Sequence, residues 1–383
     1  MKRIPRLIAV LLCMLLMLSL VPNVFAAEAF DYNEHDVGKL RAFFAQTGES
    51  GYTNGRTING STFDIDDPST WKKCTWNAEG RLESLAFDNL GWYVVGTLDL
   101  SGCTGLVTLM GRDCELTEVN VSGCTSLDTL IVTGNYITEL NIANTPALTM
   151  LWFDHNEIAS IDVSGNPELR SFDCSYNLLT RLDVTSCTNL TTLRCSNNSI
   201  TALDVTRSPL ITELNCKTNL IEELDISGLT GLRTFFCFNN RIKTLDISVM
   251  NGGESFIIEA VGHGYIGFRT YAGSAMTYKA SSNAAEGGVF RGWYSDGAYA
   301  HDEADFVLPL GQGPRRLTAY FYELGDVDHS MDVDSADALM MLRFALRIID
   351  DTQLDQILGD MDGNGAYDSS DALLILRRAL GIS

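Results

Sequence analysis

From Leu98 onward the apolar positions of this chain recur every 21 residues, without an insertion, to about Ser248. Rows begin at Leu98, Val119, Leu140, Ile161, Leu182, Leu203, Leu224 and Leu245, and two of them read "LDVTSCTNLTTLRCSNNSITA" and "LDVTRSPLITELNCKTNLIEE". A fixed period of this length predicts a solenoid, in which each row is one coil that buries its apolar residues against its neighbours. Within a row, the pattern LxxLxCxxNxI marks a short strand followed by a turn, as at Leu190, Leu193, Cys195, Asn198 and Ile200. The asparagine holds its place in six rows, as Asn135, Asn156, Asn177, Asn198, Asn219 and Asn240, with Cys114 there in the first. The chain leaves its strand at that point, so a buried amide is expected to satisfy peptide groups of the turn and of the next coil. Cys174, Cys195, Cys216 and Cys237 share another place, where earlier rows have Gly111, Val132 and Phe153. That slot reads as apolar core, because parallel strands about 4.8 Å apart hold such side chains beyond disulfide reach.

The rows resemble the leucine-rich repeat family, in its bacterial internalin-like form. The resemblance implies an α/β solenoid over residues 82–248, with a concave face made by the outward strand residues and used to bind a protein or glycan. One column of that face is Met110, Ile131, Trp152, Asp173, Arg194, Asn215 and Phe236, and Phe238 stands in the next. Large apolar groups among them suggest a contact surface, although the phenylalanines at the end could equally pack on a flanking domain.

Two flanks lack the period. In residues 27–81, Leu40, Phe43 and Phe44 have helical spacing, and a Trp-x-x-Cys-x-Trp run from Trp71 leads into the first coil, so a terminal cap is expected. Asp31, Glu34, His35 and Asp36 read there as a solvated segment. In residues 249–322, "GYIGFRTY", "MTYKAS", "VFRGWYSDG", "DFVLPL" and "RLTAYF" predict five short strands, hence a small all-β domain. The phrase "VFRGWYSDG" resembles the small repeat domain found beside the repeats of internalin-type surface proteins.

The last stretch, residues 323–383, is a duplication. Asp326–Leu346 aligns with Asp360–Leu380 at a constant offset of 34 residues, through an acidic loop and an apolar helix pattern. Calcium accounts for the loop, since this hard cation takes six to eight oxygens and a 12-residue loop supplies them from positions 1, 3, 5, 7, 9 and 12. The second loop offers Asp360, Asp362, Asn364, Ala366 through its carbonyl, Asp368 and Asp371, with Gly365 at the tight turn. The first offers Asp326, Asp328, Ser330, Asp332 through its carbonyl, Asp334 and Asp337. Met331 replaces the turn glycine and serine is the poorer ligand, so the first of two calcium sites is expected to be weaker.

Paired loop-helix units ending in aspartate closely resemble a type I dockerin, an all-α, EF-hand-like module. The resemblance implies docking onto a cohesin module of a scaffoldin in a cellulosome-like, polysaccharide-degrading complex. Recognition would use Ser335, Ala336, Leu342 and Arg343 in one half and Ser369, Ser370, Leu376 and Arg377 in the other, with Leu342 and Leu376 also candidates for the module's core.

Composition narrows the function further. Lys2, Arg3 and Arg6 precede an apolar run from Leu7 to Leu20, so residues 1–26 read as a signal peptide and the protein as secreted. Its removal would take the formal charge from −22 to about −25, which argues against nucleic-acid binding. No other stretch is apolar enough to span a membrane. Nine cysteines would remain, an odd number that leaves at least one thiol outside any internal disulfide set. A glycoside hydrolase places two carboxylates on a large scaffold, and the roughly 55 residues left unassigned are too few for one. The reading is therefore a non-catalytic recognition protein, the alternatives being an internalin-like adhesin or a hydrolase component whose site is not recognised.

Overall fold

The 21-residue period works because each coil gives three residues to one shared parallel sheet and uses the rest to turn and come back. The computed structural model describes residues 30–382 apart from 49, 89, 91–92, 251–255, 263, 271–275, 283–287, 309–315, 351 and 353, so the segment read as a signal peptide lies outside the described residues. Near the N-terminus stand helices α1 (Glu34–Phe44) and α2 (Asn54–Asn59) and strands β1 (Cys74–Trp76) and β2 (Leu82–Ala86). Through the solenoid follow β3 (Val95–Asp99), β4 (Thr108–Met110), β5 (Glu115–Asn120), β6 (Thr129–Ile131), β7 (Glu139–Asn141) and β8 (Met150–Trp152). Then come β9 (Ser171–Asp173), β10 (Thr192–Arg194), β11 (Glu213–Asn215), β12 (Thr234–Phe236) and β13 (Thr244–Asp246).

Adjacent coils pair in register, as Leu130 with Leu151 and Ile131 with Trp152. The central residue of each main strand, from Leu109 to Phe235, is fully buried, and so are the four cysteines of the ladder. The asparagines hold the turns: the Asn156 amide donates to the carbonyls of Val132 (3.0 Å) and Phe153 (2.9 Å), and its oxygen accepts from Ile137 N at 2.9 Å. Their partners lie in their own turn and in the coil before, not the coil after, because the strand leaves the turn toward the preceding coil's open carbonyls. On the far side the first coils run through β3, β5 and β7, which pair as a separate three-stranded parallel sheet, and the later ones return through turns, without a helix among the described residues. There Asp183 accepts from both the backbone N (2.9 Å) and the hydroxyl (2.6 Å) of Thr185, and Asp162, Asp204 and Asp225 repeat the turn.

Both ends of the solenoid core are covered. At the N-terminus Phe43 meets Phe87 at 5.5 Å between ring centroids, and the buried Asp36 takes Arg81 in a two-pronged ion pair, with both N···O distances 2.9 Å. Asp36 also accepts from Leu82 N, so it fastens the cap to the first coil and is not part of a solvated segment. A buried aspartate keeps its charge only with such partners.

The other end runs on into β14 (Ile257–Gly262), β15 (Gly264–Thr270), β16 (Met276–Ser282), β17 (Gly288–Ser295), β18 (Ala298–His301), β19 (Asp305–Leu308) and β20 (Arg316–Glu323). Among the described residues seven strands stand where five are predicted, the additions being β14 and β18. The main solenoid sheet continues through β15, β16 and β19, with Phe236 opposite Arg269. A second sheet in the order β13-β14-β20-β17-β18 packs across it, burying Phe256, Phe268, Tyr278, Trp293 and Phe321. Gly267 lies at the junction because a Cβ there would come within 2.5 Å of the Phe238 Cα. The C-terminal module follows, with α3 (Ser335–Ala345), α4 (Gln356–Gly359) and α5 (Ser369–Ala379) closing on Val327, Met341, Leu358 and Ile375. Among the described residues no helix is long and apolar enough to cross a membrane.

Candidate metal centres and recognition surfaces

Each acidic loop is wound by its own first aspartate. Asp326 accepts from the backbone N of Ser330 (2.9 Å) and Met331 (3.0 Å), and Asp360 does the same for Asn364 (3.1 Å) and Gly365 (3.0 Å). The ninth residue then caps a helix: Asp334 accepts from Ala336 N and Asp368 from Ser370 N, at 2.6 and 2.7 Å. The twelfth closes a reciprocal capping box, Asp337 accepting from Asp334 N at 2.9 Å and Asp371 from Asp368 N at 3.0 Å. The outcome is convergence. Oxygens of Asp326, Asp328 and Asp337 lie within 4.8 Å of one another, and those of Asp360, Asp362 and Asp371 do likewise.

Three like charges at that spacing repel unless a cation sits among them. In the first loop burial, helped by Asp328 and Asp326, pushes the Asp337 carboxyl up to about 6, and burial also raises Asp326. All-oxygen donors, carboxylate-rich and flexible, fit calcium. The fifth and seventh positions differ between the loops. Ser330 turns its hydroxyl onto the Asp332 carbonyl (3.1 Å), whereas Asn364 reaches Asp362 Oδ2 at 2.8 Å and accepts from Ala366 N at 2.6 Å.

Ser335, Ala336, Leu342 and Arg343 of α3 are all exposed, Leu342 at 38%. Their counterparts Ser369, Ser370 and Arg377 on α5 are exposed as well, but Leu376 is half-buried against the module's core. The halves therefore present unequal faces.

Asp355 was not visible as a functional residue in the sequence, although an aspartate just before "QILG" is an N-cap signal. It caps α4, accepting from Ile357 N, and ties the module to the β domain: Oδ2 lies 2.6 Å from Arg291 Nε and 2.9 Å from His329 Nε2. Burial opposes its charge, but His329 and Arg291 outweigh that and hold the carboxyl below its ordinary value. His329, inside the first acidic loop, stacks on Tyr322 of β20 at 4.1 Å, and Arg378 of α5 pairs with Glu323.

On the sheet face, Met110, Trp152, Asp173, Arg194, Asn215, Phe236 and Phe238 are all partly exposed. Ile131 is not a surface residue: it is 2% exposed, between its in-register neighbours Met110 and Trp152. Burial raises the Asp173 carboxyl, and Arg194 at 3.6 Å opposes the shift while also bonding Glu213 at 2.6 Å. Asp154 is engaged by the Thr133 hydroxyl at 2.6 Å. All nine described cysteines are free and buried, and burial pushes the Cys237 thiol up to about 12.

Residues 324–380 match the family described as Dockerin type I domain, and residues 167–211 match Leucine Rich repeats (2 copies). No curated protein matches the chain. Among solved structures, the functional domain of InlJ from Listeria monocytogenes, described as including a cysteine ladder, is 30% identical, with 47% of this chain and 44% of that one covered and a TM-score of 0.37. A leucine-rich repeat protein from Leptospira interrogans is 26% identical over 40% of this chain and 42% of that one, with a TM-score of 0.37. The internalin InlF from Listeria monocytogenes is 22% identical over 45% and 52%, again with a TM-score of 0.37. The chain spans less than half the length of the first two of these structures.

Proposed function

We propose that this chain, which carries leucine-rich repeats and a type I dockerin domain, is a non-catalytic extracellular recognition protein held by its dockerin on a cohesin module of a scaffoldin. Type I dockerins bind calcium and cohesins, and proteins that carry them are typically extracellular. The observation that carries the reading is the pair of three-carboxylate clusters, each at the head of a helix with exposed serine, leucine and arginine positions. Calcium would be held by Asp326, Asp328, Asp337 and their loop partners in one half and by Asp360, Asp362, Asp371 and theirs in the other. It would fix the direction in which α3 and α5 leave the loops. Apolar side chains left in solvent on those helices, Leu339 and Leu373, with Leu346 and Leu380 at their ends, favour a protein partner.

The repeat face is the second recognition surface, taking a protein or glycan. Its carboxylates are engaged structurally, Asp154 by Thr133 and Asp173 by Ser175 and Arg194, which supports binding over hydrolysis. The test uses the full chain and a panel of purified type I cohesin modules, run on size exclusion in calcium and in chelator. A complex formed in calcium alone is expected. If no cohesin is retained in either condition, the docking reading fails.

A further inference from the structure

The sheet face does not end with the last coil. Phe236 on β12 stands opposite Arg269 on β15, and Arg269 opposite Thr277 on β16, so the outward column of the repeats continues onto the β domain. Around this seam the side chains differ from those elsewhere on the face. Phe236 and Phe238 form an edge-to-face pair, 6.4 Å between centroids at 74°, and both remain partly exposed. Lys217 from the preceding coil and Lys279 from β16 bring their Nζ atoms to 5.7 and 5.8 Å from the Phe238 centroid. A small cavity beside that ring is lined by Phe268, Arg269, Thr277, Lys279 and Asp305.

Charge distinguishes the seam. The chain as a whole is at −22, and the arginine at mid-face, Arg194, is neutralised by Asp173 and Glu213. At the seam Lys279 has Asp305 at 3.6 Å, but among the described residues neither Lys217 nor Arg269 is in an ion pair. Unneutralised cations beside half-exposed rings, on an otherwise acidic molecule, attract an anion that also carries apolar surface.

We infer that the seam between the last coil and the β domain binds an acidic peptide segment bearing an apolar or aromatic side chain. The two half-exposed rings supply apolar surface for a side chain, and Lys217 and Arg269, which are in no ion pair among the described residues, stand beside them for carboxylates. The inference rests on the repeat face being a ligand surface and names the ligand class for its C-terminal end.

The test pans a random dodecapeptide phage library on the immobilised full chain and on the variant Lys217→Glu/Arg269→Glu/Lys279→Glu, with thermal melts to check folding. Lys217→Ser/Arg269→Ser serves if the charge reversal does not fold. Peptides enriched on the native chain should combine Asp or Glu with Phe, Leu or Trp, and synthetic copies should bind the variant about tenfold more weakly or worse. Enriched peptides that are neutral or basic, or that bind the variant equally well, overturn the inference. If those same peptides lose binding on Trp152→Ala, the repeat face still recognises ligands and only the seam assignment falls. If no peptide is enriched but polygalacturonate binds in a lysine-dependent way, the peptide class is wrong while the face keeps its role. If neither probe binds, both readings fall together.

Discussion

The two halves of the dockerin share a backbone template but are not held to it equally. Both wind their loops on a first aspartate, both close a capping box with a twelfth, and both launch an eleven-residue helix. The second half places glycine where the chain must enter the left-handed region, at Gly363 (φ 70°) and Gly365 (φ 76°). The first half forces His329 (φ 62°) and Met331 (φ 79°) into the same conformations, each at a cost of about 1–2 kcal/mol. What the first half has in return is anchorage: His329 stacks on Tyr322 and reaches Asp355, which in turn holds Arg291. The strained loop is thus braced from the β domain, whereas glycine spares the second loop that strain.

The largest effect should come from the twelfth positions. Asp371→Ala removes a proposed calcium ligand and strips the acceptor from Met361 N and Asp368 N, costing about 3 kcal/mol and abolishing the second site. Asp337→Ala removes the same functions from the first loop, where Val327 N, Asp328 N and Asp334 N lose their acceptor. Calorimetric titration should show one calcium in place of two for either variant, with the tighter event missing in Asp371→Ala. If Asp337→Ala removes the tighter event instead, the ranking of the two loops is reversed.

Acid should separate the halves next. The Asp337 carboxyl is raised from 3.8 to about 6, so in the calcium-free protein it disfavours the folded loop progressively as pH climbs from about 4 to 6. Calcium requires the ionised form, and its affinity rises through the same window. First-site affinity at pH 5 should therefore be about tenfold below its value at pH 7. Metal-free stability should move the other way. A first-site affinity flat between pH 5 and 7 would mean that burial does not hold this carboxyl as the geometry indicates.

How much of this was legible in the sequence depended on repetition. Every coil sees the same neighbours, so a 21-residue period announces the strands, the asparagine turns and the buried cysteines, and a 34-residue offset announces both acidic loops and their helices. Contacts made once leave no such trace. Asp36 looked solvated because its chain neighbours are polar, and its partner Arg81 lies 45 residues on. Alternation put Ile131 in the outward column, yet it is buried between Met110 and Trp152, and burial within a column is something a period cannot report. Strand β14 is held between β13 of the last coil and β20 from the far end of the β domain, pairings that no period announces. The brace on Asp355 likewise joins residues from three separate segments.

That brace gives a smaller effect. Asp355→Asn keeps an oxygen to cap α4 but removes the charge that pairs with Arg291, and about 1 kcal/mol should be lost from the first half. First-site calcium affinity should fall about fivefold, with the second site unchanged. Equal weakening of both sites would show that Asp355 supports the module as a whole and not the strained loop.

The smallest effect would isolate backbone strain from everything else that separates the halves. Met331→Gly leaves every ligand of the first loop in place and changes only the cost of φ 79° at the tight turn. Glycine relieves roughly 1–2 kcal/mol there but brings more backbone entropy to the unfolded chain, so the net gain is about 0.7 kcal/mol. Read as calcium affinity, that is a rise of about threefold at the first site only. Met331 is partly exposed, so little packing is lost to offset the gain. An unchanged or lower affinity would mean that contacts from the β domain already hold the turn in place whatever residue occupies it. The difference between the halves would then lie in Ser330, whose hydroxyl is engaged with the Asp332 carbonyl, and not in the backbone.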